Sequence, residues 1–305
     1  MPPDTSIRLD RLETEQVSAR TADIDRMSPL EIVETINAED ATVALAVQLA
    51  LPRIAEAIEG IAERMRRGGR LIYAGAGTSG RLGVLDASEC PPTFNTPRGL
   101  VVGLIAGGNR ALTESIEAAE DSQDAGRADV AALNVGEADT VVGIAASGRT
   151  PFVLGAVAEA RERGALTVGV ACTTGSPLAD RVTILIAPVV GPEVITGSTR
   201  LKAGTAQKMV LNMLSTGTMI LLGKTFGNLM VDMRPTNAKL RARAIRIVGL
   251  ATGLDESEAA ALLRDCDHEV KTAIVAALTG VDAVTARERL ARAGGVVRTA
   301  IQEHA

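Results

Sequence analysis

The chain has 305 residues, 46% of them hydrophobic, which is enough to bury the core of one large domain and a smaller one. A net charge of −5 and an aromatic content of 1% argue against nucleic acid as a partner, because neither a basic surface nor stacking platforms are available. With two histidines and three cysteines, a histidine triad, a zinc site and a disulfide framework are all disfavoured.

No run of residues reaches the roughly 18 apolar positions that a membrane helix needs. The first residues also lack the pattern of a signal peptide. We therefore expect a soluble, cytoplasmic protein with reduced thiols, and we interpret Cys90 as a small buried thiol.

A polar arm followed by helices is predicted for the N-terminal part of the chain. Residues 1–27 are polar and of mixed charge, and such an arm could wrap a partner subunit. Ser28 is followed by a proline and by Glu31, a pattern typical of a helix start. Apolar residues recur at helical spacing over residues 41–65, but Pro52 interrupts them. This predicts two helices or one kinked helix.

Five short runs rich in Val and Ile alternate with helical patterns. The runs lie near residues 70–74, 100–105, 139–145, 166–171 and 183–188. Strands separated by helices predict an α/β fold with a doubly wound parallel sheet, which binds ligands beyond the carboxyl ends of its strands. The pattern after about Met233 is purely helical. We therefore predict an α/β domain at 28–233 and a small helical domain at 234–305.

The first predicted strand leads into a glycine-rich turn, Gly75-Ala76-Gly77-Thr78-Ser79-Gly80-Arg81. Glycines allow a sharp turn and close approach, and a helix start offers unpaired N–H groups, so the turn predicts an anion site. It fits the dinucleotide pattern G-x-G-x-x-G, but the next strand ends without the acidic residue that this pattern needs. The hydroxyls favour a phosphate monoester. The other alternative is a tight connection without a ligand.

A second turn of this kind, Ala146-Ser147-Gly148-Arg149-Thr150-Pro151, follows the third strand. Two such turns predict one small phosphorylated ligand held from both sides. A third hydroxyl-rich helix entry, Thr196-Gly197-Ser198-Thr199-Arg200, precedes Lys202 and a mostly buried helix over residues 202–222. Ligand contact and ordinary helix capping both remain open for this entry.

Because histidine is so scarce, acid–base chemistry falls to carboxylates, lysines or a tyrosine, and the acids beside the glycine-rich turns are the first candidates. Glu89 lies in Asp86-Ala87-Ser88-Glu89-Cys90-Pro91-Pro92, where the prolines predict a helix end and an anion in the last turn is unfavourable. Glu120 lies in Glu117-Ala118-Ala119-Glu120-Asp121, predicted to be on the helix after the second strand. A solvated acidic face is the alternative for this second cluster.

Together these motifs resemble the N-acetylmuramic acid 6-phosphate etherase family. The resemblance rests on the two glycine-rich turns, on residues 86–93 and 103–108, and on residues 196–205. It extends over almost the whole chain, with Ala118 standing where the family leads us to expect glycine. The resemblance implies a sugar isomerase (SIS) domain, a small helical C-terminal domain and a homodimer.

The resemblance further implies cleavage of the D-lactyl ether of N-acetylmuramic acid 6-phosphate, a phosphorylated amino sugar, during recycling of the bacterial cell wall. No metal or redox cofactor is implied. By motif, Glu89 resembles the family's proton donor and Glu120 its second catalytic carboxylate. For substrate binding we expect hydroxyl and backbone contacts, with two cations as charge partners, from Gly77, Thr78, Ser79, Gly80, Ser147, Gly148, Arg149, Thr150 and Lys202.

Two rival functions remain at this point. Related SIS proteins bind sugar phosphates as sensors without catalysis, but the presence of both Glu89 and Glu120 favours an enzyme. A ketose–aldose isomerase would also open the sugar ring and move the hydrogen on carbon 2. Activity on fructose 6-phosphate without release of lactate would identify that isomerase.

Overall fold

The structure is a computed structural model that describes residues 13–116, 118–233 and 237–302. Its strands are β1 Leu71–Gly75, β2 Val101–Ile105, β3 Thr140–Ile144, β4 Leu166–Val170, β5 Ile184–Ile186, β6 Thr225–Phe226 and β7 Leu229–Met230. Its helices are α1 Pro29–Asp40, α2 Val43–Leu49, α3 Leu51–Arg66, α4 Gly77–Phe94, α5 Gln123–Ala132, α6 Pro151–Glu162, α7 Lys202–Leu221, α8 Ala238–Thr252, α9 Glu256–Asp265, α10 Val270–Thr279, α11 Ala283–Arg292 and α12 Val297–Gln302.

The five predicted strands form one parallel sheet in the order β2-β1-β3-β4-β5. This confirms the predicted doubly wound α/β fold. The chain leaves β1 toward β2 on one side and later returns to place β3 on the other side. Gly75 and Ile144 end β1 and β3 in the same register. The loops after these two strands therefore start side by side, at the switch point where such sheets bind ligands.

Local sequence signals explain the N-terminal helices. Ser28 and Glu31 form a capping box in which the backbone N–H of Ser28 donates to Glu31 over 2.7 Å. The apolar stretch that follows is divided at Ala50 into α2 and α3, with Pro52 in the first turn of α3. The axes of the α1–α2 segment and α3 differ by 59°. Both predictions for this region are confirmed.

The described part of the N-terminal arm, residues 13–27, packs on the α/β unit. It contains short 3-10 turns, and the hydroxyl of the buried Thr21 donates to the carbonyl of Val194 over 2.9 Å. Arg20 pairs with Glu39 at 2.8 Å. Residues 1–12 lie outside the described part of the chain.

The core of the sheet unit is apolar on both faces of the strands. All residues of β1, β3 and β4 are buried, and α6 adds side chains such as Phe152 and Val157. Strands that are covered on both faces give continuous Val/Ile runs, which explains why they were recognisable in the sequence.

The contacts divide the chain into two units. One unit contains the chain up to Ser88 together with Gly99–Ser215. The other contains Glu89–Arg98 and the chain from Thr216 onward, so the helices α4 and α7 each cross the division. The predicted boundary at residue 233 differs from this division, because the second unit also includes the two-stranded ribbon β6–β7.

The second unit is built around its own apolar core. Helices α8 to α12 bury small and branched side chains, among them Val248, Leu263, Ala273, Ile274 and Val297. The helical character predicted for the C-terminal region is confirmed for residues 237–302.

The prediction that Pro91 and Pro92 end helix α4 is wrong. The helix continues to Phe94. Each proline removes one backbone hydrogen bond, but Cys90 and Phe94 are both buried and lie one turn apart on the same side of the helix. Their burial holds the helical path past the prolines. Glu89 is therefore not in the last turn, and the helix dipole does not disfavour its negative charge there.

No single helix among the described residues is long and apolar enough to cross a membrane. The bent pair formed by Pro29–Leu49 and Leu51–Arg66 meets that test by length and composition alone.

Candidate functional site

The first glycine-rich turn joins β1 to the start of α4. Gly77 begins the helix in the left-handed region, with φ of +53° and open space at its Cβ position. Gly75 and Gly80 are required for close packing instead of for a left-handed backbone. A Cβ atom on Gly80 would lie 2.7 Å from the carbonyl oxygen of Gly75, so glycine lets the helix pack directly on the strand. The first N–H groups of α4 have no intrahelical acceptor and can bind an anion.

Helix α7 lies against this turn and contributes a residue that sequence analysis missed. The hydroxyl of Ser79 donates to the side-chain carbonyl of Gln207 over 2.8 Å. Gln207 is buried, and its amide Nε2 has no hydrogen-bond partner among the described residues. Thr78 packs near Gly204, whose Cβ position lies 3.5 Å from the Thr78 methyl group. A glutamine in the apolar pattern of residues 202–222 was the available signal.

The second turn is fixed by backbone contacts. The N–H of Gly148 donates to Ala145 over 2.9 Å, and the Gly148 carbonyl accepts from Leu178 over 3.1 Å. Thr150 is the N-cap of α6, but its side chain makes no capping hydrogen bond, so its hydroxyl is available to a ligand. Ser147 is half-buried.

Arg149, in the same turn, is exposed. The two turns leave adjacent ends of β1 and β3, as the sequence predicted.

Replacing Gly148 by alanine is expected to destabilise the protein by about 2–5 kcal/mol. The left-handed backbone, with φ of +63°, costs an alanine about 1–2 kcal/mol. In addition, its Cβ would overlap the side chain of Ser176, at 2.3 Å from Oγ and 2.5 Å from Cβ, and such overpacking costs about 1–3 kcal/mol. Urea unfolding measures the change in the free energy of unfolding.

Gly191→Ala is the matched control for Gly148→Ala. Gly191 has φ of +69° with open space at its Cβ position, so only the backbone term of about 1–2 kcal/mol is expected. Equal losses in the two variants would show that Ser176 does not restrict this turn.

Glu120 lies beside the first turn in the folded unit. It lines a cavity of about 200 Å³ together with Gly77, Arg81 and Glu114. Arg81 fixes another part of the cavity wall, because its guanidinium donates to the carbonyls of Leu112 and Glu114 at 3.1 and 3.0 Å. The Glu120 side chain is exposed and, within the described ranges, no hydrogen bond or ion pair engages it. A free carboxylate therefore faces the same cavity as the start of α4.

The sequence prediction that places Glu120 on a regular helix is wrong. Glu120 belongs to a 3-10 turn, Ala119–Asp121, and α5 begins only at Gln123, capped by the hydroxyl of Ser122. The residue before this turn is Ala118, in the left-handed conformation with φ of +57°. The expectation of glycine at this position in the family thus has a backbone reason. The alanine keeps a conformation that glycine adopts without strain.

Ala118→Gly is expected to stabilise the protein by about 0.5–1 kcal/mol. Relief of left-handed strain contributes about 1–2 kcal/mol, and the greater freedom of glycine in the unfolded chain offsets about 0.4–1 kcal/mol of it. Thermal and urea unfolding measure the gain. Ala119→Gly, one residue later and outside the positive-φ region, is the control and should lose about 0.5–1 kcal/mol. Destabilisation by both variants would contradict this prediction.

At the third predicted turn, residues 196–200, the start of α7 is capped by a side chain of the protein itself. The carboxylate of the buried Glu193 accepts from the backbone N–H groups of Lys202 and Ala203 at 2.9 and 3.0 Å, so it caps α7 where an anion would bind. Burial raises the pKa of the Glu193 carboxyl, although these two N–H groups favour its charged form. Ordinary helix capping is therefore the interpretation that the structure supports for this turn.

The structure also corrects the expected role of Lys202 as a charge partner of the substrate. Its ammonium group is buried and forms an ion pair with Glu39 at 2.8 Å. Since that carboxylate also pairs with Arg20, the lysine joins α7 to α1 and to the arm. It is engaged inside the protein and not at an open anion site.

A buried carboxylate fixes α4 relative to its neighbours in the sheet unit. Asp86 accepts hydrogen bonds from Tyr73 over 2.8 Å, from Asn212 over 2.7 Å and from Ser215 over 3.1 Å. These donors belong to β1 and α7. The network therefore positions the helix that starts at the first turn, and it explains why Asp86 belongs to the recognised motif.

Glu89 lies later on α4, twelve residues after Gly77, and its side chain is exposed. It is not among the residues that line the cavity beside Glu120. A shared site for the two carboxylates stays a prediction.

The three cysteines are all buried and none forms a disulfide, which confirms the interpretation of Cys90 as a buried thiol. Burial raises the pKa of the Cys172 thiol to about 12, so it is not a nucleophile near neutral pH. In the part of the chain that is described, no three His, Cys, Asp or Glu side chains are grouped as metal ligands.

Comparison with known proteins identifies both the fold and the family. Residues 53–161 match the glucokinase regulatory protein N-terminal SIS domain, and residues 111–217 match the SIS domain. A phosphoheptose isomerase from Francisella tularensis has the same fold, with a TM-score of 0.52 and 19% identity, covering 64% of this chain and 100% of that one.

Two relatives named N-acetylmuramic acid 6-phosphate etherase come from Salmonella agona (strain SL483) and Salmonella typhi. Each is 56% identical to this chain over 296 residues, which is 97% of this chain and 100% of the relative. With such identity over nearly its whole length, the chain belongs to the N-acetylmuramic acid 6-phosphate etherase family.

Proposed function

We propose that this protein cleaves the D-lactyl ether of N-acetylmuramic acid 6-phosphate to give N-acetylglucosamine 6-phosphate and D-lactate. The observation that carries the proposal is the 56% identity to full-length relatives that bear this name. The adjacent turns after β1 and β3 support a phosphorylated substrate, because they offer hydroxyls and free N–H groups at one edge of the sheet.

The proposed reaction is an elimination followed by addition of water. In the ring-opened sugar, the aldehyde acidifies the hydrogen on carbon 2, and a base removes it. Lactate then leaves carbon 3 with a proton from an acid, and an unsaturated aldehyde remains. Water adds to carbon 3 and a proton returns to carbon 2. The sum is one substrate and one water giving two products, so the enzyme is a carbon–oxygen lyase by mechanism.

We assign the acid–base steps to Glu120 and Glu89. The position of Glu120 on the cavity that begins at Gly77 supports its role, and the motif around Glu89 supports the role of proton donor. Phosphate binding falls to Thr78, Ser79, Ser147 and Thr150 with the backbone of the glycine turns. Arg149 is exposed and therefore free to reach the lactate carboxylate. Lys202 supports the fold through Glu39.

The family resemblance also leads us to propose a homodimer that acts in the cytoplasm during recycling of cell-wall sugars. Gel filtration with light scattering tests the dimer directly. A monomer at micromolar concentration would contradict this part of the proposal.

A sensor of sugar phosphates is the second candidate, and one observation favours it. Residues 53–161 match a domain of a protein named for regulation of glucokinase. Retention of both candidate carboxylates favours the enzyme over the sensor, since binding alone requires neither. An isomerase is the third possibility, and formation of an aldose phosphate from fructose 6-phosphate would reveal it.

Reaction in deuterated, ¹⁸O-labelled water tests the mechanism. The proposal predicts ¹⁸O at carbon 3 and deuterium at carbon 2 of the sugar product, and no ¹⁸O in the lactate. Oxygen label in lactate would contradict elimination, because it would show attack on the lactyl carbon. Binding without any product would assign the protein to the sensors.

A further inference from the structure

Gln207 contacts the first glycine-rich turn, the proposed phosphate site, through Ser79. It projects from the second turn of α7 and is 1% exposed. Its Oε1 accepts a hydrogen bond from the Ser79 hydroxyl over 2.8 Å. Its Nε2 is buried without a hydrogen-bond partner among the described residues. A buried donor without an acceptor is less stable than a satisfied one, so an arrangement that gives Nε2 an acceptor is favoured.

The orientation of this amide decides what Ser79 can offer. A hydroxyl has one hydrogen and two lone pairs. While Ser79 donates to Oε1 of Gln207, its only hydrogen is engaged inside the protein and cannot bind a phosphate oxygen. A half-turn of the amide about its last side-chain bond exchanges Oε1 and Nε2. Ser79 then accepts from Nε2, and its hydrogen is released toward the helix start.

We propose that Gln207 is a positioning residue that turns its amide when a phosphate monoester binds, and so sets the Ser79 hydroxyl as a donor to that phosphate. The inference rests on the proposed function, since the phosphate is that of the sugar substrate. The turn gives Nε2 an acceptor in Ser79 while Oε1 gives up the Ser79 hydrogen. The net gain is the new hydrogen bond from Ser79 to an anion, which is stronger than one between neutral groups. Glutamine meets both demands because its amide carries a donor and an acceptor of equal reach.

Two substitutions separate this role from simple packing. Gln207→Glu keeps the shape but accepts only, so it retains the Ser79 hydrogen and adds a negative charge beside the phosphate. Gln207→Met keeps the approximate volume and removes both hydrogen-bonding groups. We expect affinity for a sugar phosphate to fall about 100-fold in the glutamate variant and about tenfold in the methionine variant. Gln48→Glu, at an exposed position on α2, controls for added charge.

Isothermal titration calorimetry with N-acetylglucosamine 6-phosphate and with inorganic phosphate tests the inference without relying on turnover. Gln207→Met should weaken binding in the wild-type background but cause no further loss in a Ser79→Ala background, because its effect passes through that hydroxyl. Equal losses in both backgrounds, or wild-type affinity in Gln207→Glu, would overturn the inference and leave the proposed function intact. Failure of the wild-type protein to bind either compound would overturn the proposed phosphate site and the inference together.

Discussion

Glu120→Gln is expected to lower the rate of lactate release by about 10²–10⁴-fold, the usual contribution of a positioned acid or base. The amide keeps the size of the side chain but cannot accept or deliver a proton at neutral pH. Glu120 is exposed on the cavity beside Gly77, and no ion pair or hydrogen bond in the described ranges depends on it. The free energy of unfolding should therefore change by less than about 0.5 kcal/mol. Steady-state kinetics and urea unfolding measure the two effects.

Asp121→Asn is the matched control for this prediction. It removes a carboxylate from the same 3-10 turn, one residue later and also exposed. We expect it to retain nearly full turnover. Comparable losses in both variants would indicate that negative charge on this loop matters and would contradict a specific role for Glu120.

Glu89→Gln is expected to cause a second large loss, again about 10²–10⁴-fold in turnover. The side chain is exposed on α4 and no hydrogen bond or ion pair joins it to another described residue, so the fold does not require its charge. A group that donates the proton to departing lactate should affect the maximal rate more than binding of N-acetylglucosamine 6-phosphate. Rate measurements on saturated enzyme, with calorimetry for the product, separate the two.

Glu63→Gln provides the control for Glu89. It neutralises an exposed helical glutamate on α3, whose contact with Arg67 at 3.6 Å is a surface pair of small energetic value. Unchanged turnover is expected there. Turnover within a few-fold of wild type in Glu89→Gln would remove Glu89 from the mechanism.

The sheet and the glycine turns were predictable because their residue requirements are local. Strands buried on both faces need continuous apolar runs, and the Gly75–Gly80 packing and the positive φ of Gly77 and Gly148 need glycine. The alternation of strands and helices then determined that both turns lie at one edge of the sheet.

Other features depend on contacts that no short stretch of sequence contains. Pro91 and Pro92 predicted a helix end, but burial of Phe94 keeps the helix intact. The cation Lys202 suggested a phosphate partner, whereas its actual partner, Glu39, lies 163 residues earlier.

Gln207 was missed for the same reason, since its partner Ser79 is 128 residues away. The ribbon β6–β7 is short, and its two-residue turn of Gly227 and Asn228 was its only local signal.

Simultaneous quantification of D-lactate and N-acetylglucosamine 6-phosphate is the sharpest test of the proposed etherase activity. The purified protein is mixed with N-acetylmuramic acid 6-phosphate, and both products are followed over time beside Glu120→Gln. We expect equal amounts of the two products from the wild-type protein and about 10²–10⁴-fold slower release from the variant. Tight binding of the substrate without release of lactate would rule out the etherase activity and would identify a sugar phosphate sensor.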